Sequence, residues 1–318
     1  MHEFDIVSLG ELLVDFTECG HSAAGMRLFE QNAGGGVANM AAAAAACGKK
    51  TACISKVGGD MHGAFLKAAM ENAGVDMRGL RVDESVFTTL AFVALAPSGE
   101  REFSFARKPG ADACLRTDEL DRDLLTHTKV FFHGTISCIL EPAATATREA
   151  IRIAKQAGAV IAYDPNYRAS LWESQARAVD VMRSLVPTAD FVKLSDEETG
   201  LMTGETDPVK ASKVLADRGV KVVAVTLGGQ GALVRVKDAY RLVPGFTAKA
   251  VDTTGAGDSF SGGFLSRFLD DGKRIEDVTL ADAAEYARFG NATASLCVER
   301  RGGIPAMPSL ADILARLA

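Results

Sequence analysis

The 318-residue sequence has no run approaching the ~20 apolar residues that a membrane-spanning helix requires, so no membrane association is expected. Basic residues are in the minority. The 35 Lys and Arg stand against 41 Asp and Glu, a formal net charge of −6. That balance excludes a broad nucleic-acid-binding face and leaves room only for a local basic pocket. The six cysteines, Cys19, Cys47, Cys53, Cys114, Cys138 and Cys297, form no CxxC pair and read as reduced, mostly buried small apolar residues. The five histidines, His2, His21, His62, His127 and His133, lack metal-ligand spacing. Met1-His2-Glu3-Phe4-Asp5 is no basic region followed by an apolar core, so no signal peptide and a cytoplasmic location are expected. The common nucleotide signatures are missing too. There is no GxxxxGK(S/T), HRD or DFG, and two Rossmann-like runs miss their last glycine, with Asn39 after Gly34-x-Gly36 and Phe260 after Gly255-x-Gly257.

What is present is an α/β rhythm. The apolar run 4–9 ends at Gly10, as a buried strand would. Gly34-Gly35-Gly36 opens a helix that runs through Met40 and six consecutive alanines to Gly48, a composition that suits close approach to a sheet. Residues 51–57, 129–133, 159–163, 191–194 and 220–226 read as further strands, with helices near 61–72, 145–157 and 175–185. Such alternation predicts a mostly parallel central sheet with helices on both faces. One stretch departs from it. Segments 88–95 and 101–105 flank Ala96-Pro97-Ser98-Gly99-Glu100, a hairpin signature, and with residues 11–32 they predict a small β lid from about 11–32 and 86–108. No linker, charge block or internal repeat divides the chain, so residues 1–318 are read as a single lidded domain.

The most informative segment is Val251-Asp252-Thr253-Thr254-Gly255-Ala256-Gly257-Asp258-Ser259-Phe260. It precedes a one-sided stripe of Phe260, Phe264, Leu265, Phe268 and Leu269 at helical spacing. First-turn amides of a helix lack intrahelical acceptors and form an anion site, and the Gly-Ala-Gly run lets a phosphate approach them. Asp258 adds a carboxylate beside that cradle, the pairing that phosphoryl transfer to a hydroxyl needs. A tight turn with an acid complementing the helix dipole fits the same ten residues.

Four runs, taken in order and spacing, resemble the PfkB (ribokinase-like) carbohydrate kinases. They are Gly34-Gly35-Gly36-Val37-Ala38-Asn39, Asp164-Pro165-Asn166-Tyr167-Arg168, Thr226-Leu227-Gly228-Gly229-Gln230-Gly231 and Asp252-Thr253-Thr254-Gly255-Ala256-Gly257-Asp258. Within that family Gly10-Glu11-Leu12-Leu13-Val14-Asp15-Phe16 and Ser55-Lys56-Val57-Gly58-Gly59-Asp60 are similar to the bacterial fructokinases. The resemblance implies a ribokinase-like α/β fold. It also implies that Asp258 is the base and that Gly255, Ala256 and Gly257 form the hole for the transferring phosphoryl group. By the same resemblance Asp15, Gly34, Gly35 and Asn39 read the sugar, Phe105 and Arg107 cover it from the lid, and Arg168 is a substrate or phosphate contact. Asn166, Thr226, Gly228, Gly231 and Asn291 are implied to border the nucleotide. The family's Asn-x-x-Glu element reads Ser195-Asp196-Glu197-Glu198 here, keeping Glu198 to organise Mg2+ through water. A monovalent cation (K+) is implied beside Asp252 and Thr254.

The expected reaction is transfer of the γ-phosphoryl group of ATP to a free hexose, D-fructose. A 2-keto-3-deoxygluconate kinase and a ribokinase-type pentose or nucleoside kinase are the alternatives. The first of these would favour a tyrosine–arginine pair in the lid, whereas position 105 is phenylalanine. A sugar-binding regulator without catalysis is the reading from another class. The lid's strand edges, with the family resemblance, imply a homodimer.

Overall fold

A computed structural model describes residues 2–95 and 101–318. The hairpin tip Ala96-Pro97-Ser98-Gly99-Glu100 lies outside the described residues. The strands are β1 (Phe4–Leu9), β2 (Leu13–His21), β3 (Arg27–Gly34), β4 (Thr51–Gly58), β5 (Val75–Asp76), β6 (Leu80–Asp83), β7 (Leu90–Leu95), β8 (Arg101–Ala106), β9 (Thr128–His133), β10 (Val160–Tyr163), β11 (Phe191–Ser195), β12 (Val222–Thr226), β13 (Gly231–Val236) and β14 (Ala239–Pro244). The helices are α1 (Gly36–Ala46), α2 (Met61–Asn72), α3 (Arg122–Thr126), α4 (Ala143–Gln156), α5 (Gln175–Leu185), α6 (Asp196–Thr203), α7 (Pro208–Asp217), α8 (Ala256–Asp271), α9 (Leu280–Cys297) and α10 (Leu310–Leu317).

The large sheet runs β14-β13-β12-β11-β10-β9-β1-β4-β5, with β6 also on β4. It is parallel from β12 to β5. Alternate side chains of each strand feed opposite cores. Phe131, Val192 and Val223 join the helices α3 to α7, while Val130, Phe132, Phe191 and Val222 join α1, α8 and α9. The antiparallel pair β13–β14 at one edge is absent from the sequence reading. Its turn is Lys237-Asp238, with Lys237 at φ 54, so the Asn-Gly or Asp-Gly signal that marks tight hairpins is missing.

The alanine run of α1 packs on α8 as well as on the sheet. A Cβ at Gly262 would stand 2.6 Å from Ala43 Cβ and 2.9 Å from Met40 O. On the other side, a Cβ at Gly290 of α9 would meet Phe260 O at 2.9 Å. Small residues therefore clamp α8 between two helices. Burial of Phe260, Phe264, Leu265 and Phe268 on its inner stripe contributes ~1.5–3 kcal/mol each relative to exposure. Both effects fix where the N-terminus of α8 points.

The lid is a four-stranded sheet in the order β3-β2-β7-β8, with β2 and β7 parallel and the outer pairs antiparallel. Phe16 and Phe92 stack across it at 5.3 Å. Met26, Leu28, Phe87 and Phe92 leave apolar surface exposed on the lid and its approach.

Candidate active site

A cleft of about 540 Å3 opens where the carboxyl ends of the central strands meet the lid and the N-terminus of α8. A second cavity of about 310 Å3 adjoins it and shares Thr226, Gly228, Thr253, Ala256 and Gly257. The cleft is thus a two-part channel, and the first turn of α8 is the waist.

At that waist Gly255 is the N-cap in a left-handed conformation, φ 75, and supplies no side-chain cap. A Cβ there would stand 3.2 Å from Met307 Cε and 3.4 Å from Gly303 Cα, so both the backbone and the space demand glycine. The amides of Gly255 and Gly257 donate to no main-chain carbonyl among the described residues. The Ala256 amide makes a long turn bond to Thr253 O at 3.3 Å, a departure from the expectation that all three stand open. Two free donors at a helix N-terminus remain an anion cradle.

Asp258 follows, buried at the cleft wall. Its Oδ2 accepts from Asn39 Nδ2 at 2.9 Å. Burial raises the carboxyl pKa, opposed by the Asn39 hydrogen bond and by the charges of Lys193 and Arg168. Asn39 sits inside α1, whose N-cap is Gly35, so it is not a helix cap. Oδ1 of Asn39 has no hydrogen-bond partner among the described residues.

Asp15 projects from β2 into the same cleft, and burial pushes its pKa up to about 7 against the pull of Arg168. A Cβ at Gly34 would stand 2.2 Å from Asp15 Oδ2, so this glycine makes room for the carboxylate. Gly35 and Arg168 also line the cleft, and Arg168 Nη1 donates to Tyr167 O at 3.0 Å. Leu13, Val93, Phe105 and Ile136 supply an apolar wall.

One assignment changes. Arg107 does not line this cleft. Its Nε and Nη2 donate to Asp112 Oδ2 at 2.9 and 2.7 Å and Nη2 reaches Ile136 O at 3.2 Å. A guanidinium this buried needs a carboxylate, and serving Asp112 and the Ile136 carbonyl spends its Nε and Nη2 donors on protein acceptors. Asn166 lines the cleft and lies against the start of α1, where its Nδ2 would be 2.0 Å from a Cβ on Gly36. Its left-handed backbone, φ 46, is fixed by the turn in which its amide donates to Asp164 Oδ1.

Thr226 and Gly228 sit at the waist, while Gly231 and Asn291 line the second cavity. Asn291 Nδ2 donates to Val243 O and Pro244 O at 3.1 and 3.0 Å, holding β14 as the cavity wall. Glu198 lines the first cleft, yet its oxygens already serve protein donors. Oε1 accepts from Tyr167 N at 2.7 Å and Oε2 from Ser195 N at 2.8 Å. With neither oxygen idle, this carboxylate suits a hydrated cation better than direct ligation. Asp252 lies behind the waist, accepting from Thr254 N at 2.8 Å and from Gly302 N at 3.0 Å.

Three buried residues of the cleft escaped the sequence reading. Glu11 Oε1 accepts from Gly36 N at 2.7 Å, its Oε2 has no partner among the described residues, and desolvation pushes its pKa up to about 7. Lys193 Nζ donates to Asp164 Oδ2 at 2.9 Å, both side chains being buried. The signal was available in the strand Phe191-Val192-Lys193-Leu194, where a lysine interrupts a doubly covered apolar run.

An anion cradle, a buried acid and a polar sugar-sized chamber at the carboxyl edge of a parallel sheet define a small-molecule phosphotransferase. The sequence matches the family described as "pfkB family carbohydrate kinase" over residues 3–310, and the chain belongs to that family. It is 40% identical over 315 residues to Fructokinase-2 of Solanum lycopersicum, covering 98% of this chain and 95% of that protein. Fructokinase-1 of Zea mays is 40% identical over 313 residues, covering 97% and 96%. Among solved structures, fructokinase from Xylella fastidiosa with bound ATP superposes with a TM-score of 0.91 at 30% identity, covering 98% of both chains. A fructokinase double mutant from Vibrio cholerae O395, with fructose, ADP and potassium ion bound, gives 0.89 at 29% identity over 100% of both. No helix among the described residues is long and apolar enough to cross a membrane.

Proposed function

We propose that this protein transfers the γ-phosphoryl group of ATP to a primary hydroxyl of D-fructose. The observation that carries the reading is Asp258, buried at the mouth of α8 and held by Asn39 between a polyol-sized chamber and the second cavity. The names and bound molecules of the relatives support the same substrates. Asp258 takes the hydroxyl proton as the sugar oxygen attacks phosphorus, the bond to the ADP oxygen breaks, and the amides of Gly255 and Gly257 receive the charge spread over the equatorial oxygens. Asp15, Asn39 and the backbone at Gly35 read the hydroxyls, and Phe105 covers the ring with the lid excluding water. The nucleotide occupies the cavity bordered by Thr226, Gly228, Gly231 and Asn291.

Hard oxygen donors fit Mg2+ on the phosphates, and Glu198, with Asp196 and Glu197 also lining the cleft, would hold it through water. When bound, Mg2+ neutralises phosphate charge. K+ beside Asp252 and Thr254 would stiffen the waist. Exposed Met26 and Leu28 on the lid, with Phe92, support a homodimer through that face, acting as one lidded unit in the cytoplasm. Recognition of a sugar carboxylate is disfavoured, because Arg107 is committed to Asp112 and Phe105 lacks a hydroxyl. The test is ADP release with ATP and a panel of fructose, 2-keto-3-deoxygluconate and ribose. Fructose is expected to give the highest kcat/KM, and preference for either other sugar overturns the assignment.

A further inference from the structure

β11 is covered by helices on both faces, and its residues Phe191, Val192 and Leu194 are apolar and buried. Lys193 alone in that run carries charge, and burying an ammonium costs several kcal/mol unless it is paired. Asp164, from the end of β10, pairs with it at 2.9 Å. That partner explains how the charge is tolerated and leaves open why it faces the cleft. Lys193 lines the cleft, and its Nζ lies 2.6 Å from where a Cβ on Gly257 would be. The ammonium is therefore pressed against the first turn of α8, on the spot vacated by the missing side chain. Asp258 and Glu198, which line the same cleft, also feel its charge.

Resting on the kinase reading above, we propose that Lys193 is a further catalytic residue, whose Asp164-held ammonium pairs with the phosphoryl group as it passes the amides of Gly255 and Gly257. One donor of the ammonium is spent on Asp164, and its other two N–H groups are available for the equatorial phosphate oxygens. The group stays protonated throughout, so the proton and bond changes of the transfer are unaltered. Gly257 is glycine for a second reason under this reading. Any side chain there would displace the cation as well as crowd the anion.

The competing role is purely structural, a counter-ion for Asp164. Three variants, Lys193→Met, Lys193→Gln and Lys193→Arg, separate the two roles when kcat, KM and calorimetric fructose binding are measured on each. Gln retains a hydrogen bond to Asp164 and guards against a Met variant that does not fold. As a catalytic charge, its loss in Met and Gln lowers kcat about 10²–10³-fold with the fructose Kd within about threefold, and Arg recovers at least about tenfold of that loss. A Gln variant with kcat within about threefold of the parent overturns the proposal. So does an Arg variant as slow as Gln, or a loss that merely tracks lost fructose binding. If the unmodified protein releases no ADP with any sugar, the kinase reading itself has failed, which is a distinct result.

Discussion

Asn39 and Asp258, 219 positions apart, meet through a 2.9 Å hydrogen bond that joins the first turn of α1 to the first turn of α8. This bond ties the sugar side of the cleft to the phosphoryl side. It also favours the ionised form of Asp258 against the desolvation that raises its pKa. Replacing Asn39 by Leu is therefore expected to move the acidic limb of the kcat/KM profile to higher pH, because the working form of the acid is the anion. A profile unchanged in position, measured from pH 5 to 9, contradicts this coupling.

Glu11 makes a stability prediction with a defined sign. Its folded pKa of about 7 lies above the ordinary carboxyl value of 4.5, so the folded state holds the extra proton. Stability from this group is full below the unfolded pKa and falls as pH rises through the folded one. Glu11→Gln, which keeps an acceptor for the Gly36 amide, removes that slope. The variant is expected to gain stability relative to the parent between pH 5 and 8, by at most ~3 kcal/mol from the interval between the two pKa values. Parallel urea midpoints across that range would contradict it.

The α1–α8 contact offers a packing test. Gly262→Ala places a methyl 2.6 Å from Ala43 Cβ and 2.9 Å from Met40 O, and backbone cannot yield cheaply there. A loss of ~1–3 kcal/mol is expected. Thermal melts showing no change would mean that the helices separate more easily than their packing implies.

Arg107 offers a test of its role as a buried partner of Asp112. With Arg107→Ala, Asp112 keeps its Thr89 hydrogen bond but loses its buried cation, and a cost of ~3–5 kcal/mol is expected. In protein that stays folded, the fructose KM should change less than for Asp15→Asn. A larger KM effect at Arg107 would restore it as a direct sugar contact.

Much of this molecule was legible in its residues because the signals were local. Glycines before apolar periodic runs located α1 and α8, and the β–α rhythm located the parallel strands other than the short β5 and β6. The segments flanking the lid hairpin also read correctly as strands. What escaped depended on partners that only the folded chain brings together. Lys193 needed Asp164 and the missing Cβ of Gly257, Glu11 needed the Gly36 amide, and Arg107 became a wall brace only once Asp112 stood opposite it. A turn without glycine hid β13 and β14, and the alanine run announced closeness without saying that α8 shares it.

The central claim is that Asp258 strips the proton from the sugar hydroxyl beside the cradle at α8. The most direct test is Asp258→Asn, an isosteric change, followed by fructose-dependent ADP release with fructose binding measured on the same preparation. Sugar should still bind, and turnover should fall about 10²–10⁴-fold. Turnover within about tenfold of the parent would contradict it, since general-base catalysis contributes more than that.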